Sequence, residues 1–271
     1  MPDAWGARQR EDSTGTAPEG RALTARSRRV FLAGESALIR EFGETCNASG
    51  FRIAFKPNRG EPPIRSSPRF KKTSSVPAGL FFAAELTNTD RAVKRRNLEA
   101  LDRELPRSAI LLTSSVTVST SEQATWIRRR DRLVGLGALP TLLSNQLIEL
   151  APGAATTKAA IFTARDIFSE LGKTVAVVQD RIGMVMPRIL CMLINEASFA
   201  LMEEIASPSD IDAAMKLGTG YPRGPIEWAG KIGIPQVVSV LRALHDDLGE
   251  ERYRIAPLLH MMAAADPAQS T

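Results

Sequence analysis

Asp180-Arg-Ile-Gly-Met-Val-Met-Pro-Arg-Ile-Leu190, Asn195-Glu196-Ala197, Ala206-Ser-Pro-Ser-Asp-Ile-Asp212 and Met215-Lys-Leu-Gly-Thr-Gly-Tyr-Pro-Arg-Gly-Pro225 form the stretch around which this 271-residue chain is organised. Physically, the segment 180–235 reads as three helices joined by two tight, glycine-rich corners. Val185, Ile189, Met192 and Leu193 recur at helical spacing, which predicts one apolar face on the first helix. Ser207, Pro208 and Asp210 make a helix start: a capping hydroxyl, a proline whose missing N–H costs nothing there, and an acid at the positive dipole end. Gly218 is expected to end that helix, and Gly220, Tyr221, Pro222, Gly224 and Pro225 to form a rigid bend.

Towards the N-terminus the pattern changes. Val30-Phe31-Leu32-Ala33 is a short buried-strand candidate, Gly34 follows, and a helical stretch runs to about Ala48. Gly50 leads into a second strand, Phe51–Phe55. Strand, glycine turn, helix, strand is the opening unit of a dinucleotide-binding fold. Residues 56–77, with Pro57, Pro62, Pro63 and Pro68, read as a connector. Beyond it lie a strand over Ala78–Ala84, a helix over Asp90–Leu105 with Val93, Leu98, Leu101 and Leu105 on its apolar side, and strands at Ala109–Leu112 and Leu147–Leu150. The predicted fold class is an α/β Rossmann-like N-terminal domain, residues 29–178, followed by an all-α domain over 179–262. Residues 1–28 are predicted to be a disordered basic tail, and 263–271 a short second tail.

Composition narrows the partners. Residues 1–72 hold 14 Lys and Arg against 8 Asp and Glu, and the remainder 21 against 22. The basic front lacks interleaved aromatics and a recognition-helix pattern, so a solvated tail is preferred to a nucleic-acid site. No apolar run approaches the roughly 20 residues needed to span a bilayer. Cys46 and Cys191 are far apart and show no metal-ligand spacing, so neither a disulfide framework nor a metal site is indicated, and a reducing, cytoplasmic compartment is expected.

The motifs quoted at the outset resemble the C-terminal domain of the 3-hydroxyacyl-CoA dehydrogenases, in order and spacing, over about ninety residues from Gly172 to Leu258. That resemblance implies NAD as cofactor, an acyl-CoA substrate, and a homodimer formed through the helical domain. Its carry-over residue by residue is uneven. Gly34 keeps the first glycine of the G-x-G-x-x-G pattern, but the second is Ser36 and the third Ile39, and the acid expected on the ribose is Pro57. Ser114 stands at the Asn of the Ser-Asn-Thr-Ser-Ser loop, and Val116 at its substrate-contacting Ser, with Thr117 beside it. The catalytic histidine position is Gly137. Glu149 matches the glutamate that supports the histidine. The Asn of the Asn-Arg pair is Pro187. Lys94 matches a lysine beside the cleft.

These substitutions set the functional expectation. NAD affinity is expected to be reduced or absent, because three of four binding features are altered. The chain has two histidines, His245 and His260, both beyond the matched catalytic segments and both read as ordinary surface or helix residues. Glu149 has two readings: a lone general base, or an acid that is solvated or paired with an arginine, the second being preferred. Lys94 likewise either holds a phosphate or is solvated at the surface. Two functions stand. One is a weakened NAD-linked oxidoreductase of a 3-hydroxyacyl-CoA or similar 3-hydroxy acid. The other is a non-catalytic relative that binds an acyl-CoA or a protein partner as a dimeric scaffold.

Overall fold

The computed structural model describes residues 28–265. The expected tail thus lies outside the described residues up to position 27, as do residues 266–271.

Eight strands form one sheet in the order β3-β2-β1-β4-β5-β6-β7-β8. They are β1 (Arg29–Gly34), β2 (Arg52–Pro57), β3 (Phe70–Lys72), β4 (Phe82–Leu86), β5 (Ile110–Ser114), β6 (Leu133–Leu136), β7 (Leu147–Pro152) and β8 (Thr174–Val177). All pairings are parallel except β6 with β7. The inner strands are apolar on both faces, as a sheet covered on both sides requires. Along β1, Val30 and Leu32 face one core while Phe31 and Ala33 face another. Helices α1 (Ser36–Ala48) and α4 (Lys158–Glu170) cover the first face, where Phe42 stacks on Phe168 at 5.8 Å. Helices α2 (Arg91–Glu104) and α3 (Thr120–Ala124) cover the second.

Two sequence expectations shift here. The strand expected at Ala78–Ala84 forms later, at Phe82–Leu86. The connector 56–77 contributes the edge strand β3, which pairs with β2 and packs the Phe70 ring, tilted, against Phe55 with centroids 4.6 Å apart. Three residues, two of them lysines, carry too little apolar pattern to announce a strand.

The second half is helical: α5 (Met186–Met202), α6 (Pro208–Thr219), α7 (Pro225–Ile232), α8 (Ile234–Leu248) and α9 (Pro257–Ala264). Its core is Leu190, Cys191 and Ile194 of α5 against Trp228, Val237, Leu241 and Leu244, with Val116 and Leu139 of the sheet part joining it. On α5 the expected apolar face is rotated: Val185 and Ile189 lie outward, 44 % and 50 % exposed. Gly220, at φ 73°, caps α6 in place of Gly218, which lies inside the helix. The corner before α6 is turned by Glu204 at φ 54°, not by glycine.

Two acids of the motifs close helix starts. The first N–H groups of a helix have no partner within it. Asp180 accepts from Thr120 and Ser121 N–H at 2.7 and 2.8 Å, beginning α3. Asp212 accepts from Ile226 and Glu227 N–H at 2.8 and 3.0 Å, beginning α7. Gly224 has to be glycine for that second contact, because a Cβ there would lie 2.1 Å from Asp212 Oδ1. Asn195 clamps a chain segment instead: its amide donates to Arg254 O and its oxygen accepts from Ala256 N–H, both at 2.9 Å.

Candidate functional site

In a doubly wound sheet the ligand crevice lies outside the carboxyl ends of the strands, where the strand order reverses. Here that point is the end of β1, between β2 and β4, and the chain turns out of the sheet at Gly34. Gly34 has φ 140°, and a Cβ on it would sit 2.4 Å from the Leu86 carbonyl, so only glycine fits. This element of a dinucleotide cradle is intact.

The rest of the cradle is not open. Ser36 begins α1 and is buried; its N–H donates to Glu61 Oε2 at 2.7 Å and its hydroxyl to Pro62 O at 2.6 Å. Ile39, in place of the third glycine, is fully buried in the core shared by α1 and the sheet. After Pro57 the chain folds back, Asn58 N–H donating to Gly34 O at 2.7 Å. Glu35, between the two fingerprint positions, is buried and accepts from Asn88 N–H and Thr89 N–H at 2.8 Å each, from the Thr89 hydroxyl at 2.7 Å, and from the Gln236 amide. Asn88 in turn donates to Gln236 Oε1 at 2.9 Å and to Ala138 O at 2.8 Å. Ser114, at the end of β5, donates to the oxygen of the same Asn88 side chain. A polar cluster of Glu35, Asn88, Ser114 and Gln236 thus fills the crevice between the sheet and α8. A dinucleotide does not fit these residues as they stand.

The histidine position and its support do meet in space. Gly137 N–H donates to Glu149 O at 2.9 Å, and a Cβ on Gly137 would lie 3.5 Å from Glu149 Oε2 and 3.5 Å from Met184 Sδ. The carboxylate is committed elsewhere. Its oxygens accept from Val185 N–H at 3.0 Å and Met186 N–H at 2.8 Å, at the start of α5. Pro187 has no N–H, and Arg188 N–H reaches Gly183 O at 2.9 Å, so the first turn of α5 is fully served. Glu149 is therefore neither solvated nor paired with an arginine, as the sequence suggested, but caps a helix.

Val116 is buried in the helical core, and Thr117 donates its hydroxyl to Asn88 O at 3.1 Å. Thr117 also lines a cavity of about 410 Å³ at the junction of sheet and helices, with Asn88, Arg91, Ile182 and Arg242 among its walls. Lys94 does not reach that cavity. It is 1 % exposed, donating to Glu85 at 2.6 Å and to Thr87 O at 2.8 Å, so it neither holds a phosphate nor stands in solvent. Burial drives the Glu85 carboxyl above its usual value, and the Lys94 charge opposes that. The histidines remain exposed on α8 and α9.

Sequence reasoning missed Glu35, Glu61, Asn88 and Gln236. Glu61 and Gln236 carry no local signal, since each acts across a long chain separation. The burial of Lys94 was visible: positions 94, 98, 101 and 105 follow helical spacing, which puts this lysine on the apolar stripe with Leu98, Leu101 and Leu105.

Comparison with known proteins agrees with this architecture. Residues 70–181 match the family model described as 3-hydroxyacyl-CoA dehydrogenase, NAD binding domain, and 183–270 match that of its C-terminal domain. The first match begins beyond Gly34, Ser36 and Ile39. The chain is 35 % identical over 167 residues to the 3-hydroxybutyryl-CoA dehydrogenase of Bradyrhizobium diazoefficiens, covering 62 % of this chain and 57 % of that protein. It is 33 % identical over 174 residues to the probable 3-hydroxybutyryl-CoA dehydrogenase of Bacillus subtilis, covering 64 % and 61 %. Among solved structures, FadB2 of M. tuberculosis shares the fold with a TM-score of 0.76 at 21 % identity, covering 88 % of this chain and 94 % of that one. Two adjoining models of one family, these relatives and the shared fold agree: the chain belongs to the 3-hydroxyacyl-CoA dehydrogenase family.

Proposed function

We propose that this chain keeps the dehydrogenase scaffold as a binding and assembly module and has lost the hydride-transfer step. Oxidising a 3-hydroxyacyl-CoA requires a group that takes the hydroxyl proton while hydride leaves for NAD. The observation that carries the reading is at that point: Gly137 brings no side chain to face Glu149, and Glu149 is occupied in capping α5. Loss of a general base typically lowers the rate by ~10²–10⁴-fold. Gly34, Ser36 and Ser114 line a crevice already filled by the protein, which supports weak NAD binding or none. The junction cavity beside Thr117 is the place we assign to the acyl end of a CoA ester.

The scaffold reading includes a homodimer. Among the described residues α6 buries none of its own, and Ile189, Ile205 and Leu217 leave an apolar surface on α5, the corner after it and α6. A second copy of this chain suits that surface, and light scattering behind size exclusion measures it. We place the end of the sheet part at residue 178. No helix of the described residues is long and apolar enough to cross a membrane, and both cysteines are free and buried, which suits a reducing, cytoplasmic setting.

The relatives' names favour the competing reading, an active NAD-linked dehydrogenase. Titration calorimetry with NADH and with acetoacetyl-CoA, beside an absorbance assay of NADH loss, separates the two. Heat from the CoA ester without NADH consumption is expected; NADH consumption that depends on acetoacetyl-CoA would overturn the proposal.

A further inference from the structure

Helix α1 has no cap of its own. Its N-cap Glu35 turns its side chain away to Asn88, Thr89 and Gln236, and the first turn carries no acid. A 13-residue helix that starts at the carboxyl end of β1, with Ser36 buried, is stabilised by a negative partner there. In the doubly wound fold that partner is the ligand's pyrophosphate. In this chain it is Glu61. After β2 the backbone turns over the Gly34 loop, held by Asn58 N–H on Gly34 O, and three residues later Glu61 receives the Ser36 N–H. Pro62 O receives the Ser36 hydroxyl, and Pro62 and Pro63, with φ fixed by their rings, stiffen the chain that presents the carboxyl.

We infer that residues 58–62 form an internal strap, in which the Glu61 carboxyl takes the phosphate position at the start of α1 and excludes a dinucleotide from it. The inference extends the lost-reaction reading from the missing base to the cofactor seat, and it rests on different atoms. Three features act together. The Ser36 N–H and hydroxyl are both used, so a phosphate oxygen finds no free donor on Ser36. Glu61 and Glu35 sit close enough for the Glu35 charge to act on Glu61, so an incoming dianion meets acids where it needs amides. Ser36, with its hydroxyl tied to Pro62, gives the strap a hold that glycine would lack. Replacing Glu61 with a short side chain removes the internal acceptor while leaving the amide and the helix end in place.

The test uses the full chain as wild type, Glu61→Ala and Glu61→Ser, with inorganic pyrophosphate and NADH as probes and sodium chloride of equal ionic strength as control. Thermal unfolding and calorimetry are the readouts. Wild type is expected to show no stabilisation by either probe. Both variants should melt lower, and pyrophosphate should restore their midpoint, binding about ten- to a hundredfold tighter than to wild type. The serine variant serves if the alanine variant does not fold. Equal pyrophosphate affinity in wild type and variants overturns the strap, as does NADH binding to wild type, or variants that melt like wild type and ignore pyrophosphate. The turnover assay is independent: a failed strap with no NADH consumption leaves the lost-reaction reading standing, and consumption of NADH by the wild type removes that reading.

Discussion

Replacing Glu149 decides whether this carboxylate is a cap or a base. It accepts two backbone N–H groups, at 3.0 and 2.8 Å, where the 17-residue helix α5 begins, and it is 6 % exposed. A hydrogen bond to a charged group contributes about 1.5–3 kcal/mol, and N-cap removal typically costs about 0.5–2 kcal/mol. For two bonds from one nearly buried acceptor we expect Glu149→Ala to cost about 2–4 kcal/mol. For a chain of this size each kcal/mol moves the midpoint by about 2–4 °C, so Tm should fall by about 5–15 °C. Glu149→Gln keeps one acceptor oxygen but turns an NH2 towards the second amide, and should lose roughly half as much. Circular dichroism melts at fixed protein concentration measure this. A Glu149→Gln variant with wild-type Tm and a hundredfold loss of NADH turnover would refute the reasoning and make Glu149 the base.

Lys94→Met leaves Glu85 buried without its partner and should cost about 3–5 kcal/mol, while adding Glu85→Leu should recover most of that; urea unfolding of both variants tests it, and a single variant within about 1 kcal/mol of wild type would contradict the pairing. Ile39→Gly, which restores one fingerprint glycine, should cost about 3–6 kcal/mol through a core cavity and a helical glycine, with no gain in NADH affinity by calorimetry; a gain would show that Ile39 is the obstacle. The Glu61 carboxyl is raised above its ordinary 4.5, mainly by burial, with the Ser36 amide opposing and the Glu35 charge adding. The native state then holds that proton more tightly than the unfolded chain. Its contribution is complete below pH 4.5, declines as pH rises through the raised native value, and is flat above. The urea midpoint of wild type minus that of Glu61→Gln should therefore fall across that window; a difference that grows there has the wrong sign.

The sequence made the architecture legible because its punctuation is local. Ser207-Pro208 starts α6, Asp90 accepts from Val93 N–H to start α2, and the Gly34 turn stands where the strand ends. What it hid depends on partners distant in the chain. Glu149 looked like a leftover of catalysis because its partners are backbone amides 36 and 37 residues away, and amides leave no mark in a sequence. Asp180 and Asp212 belong to motifs by which the family is recognised, yet both hold helix starts. Such motifs survive when the fold does, so their presence speaks for the architecture and is silent on turnover. The α5 face is not legible for another reason: Val185 and Ile189 are as apolar as Leu190 and Ile194, and periodicity cannot tell a core stripe from a surface left open.

The bonds from Gln236 bear on how the chain reaches its native state. Asn88 and Glu35 are 148 and 201 residues away from it in sequence. Contacts of such separation form late, because a long loop must close before they contribute. During synthesis the crevice of the sheet part therefore stays unsealed until α8 has emerged, and the buried Glu35 waits for one of its donors throughout. A chain stopped before α8 should expose this acid to water and be open to proteolysis near residues 35–36 and 87–89, whereas the finished chain should unfold in one transition.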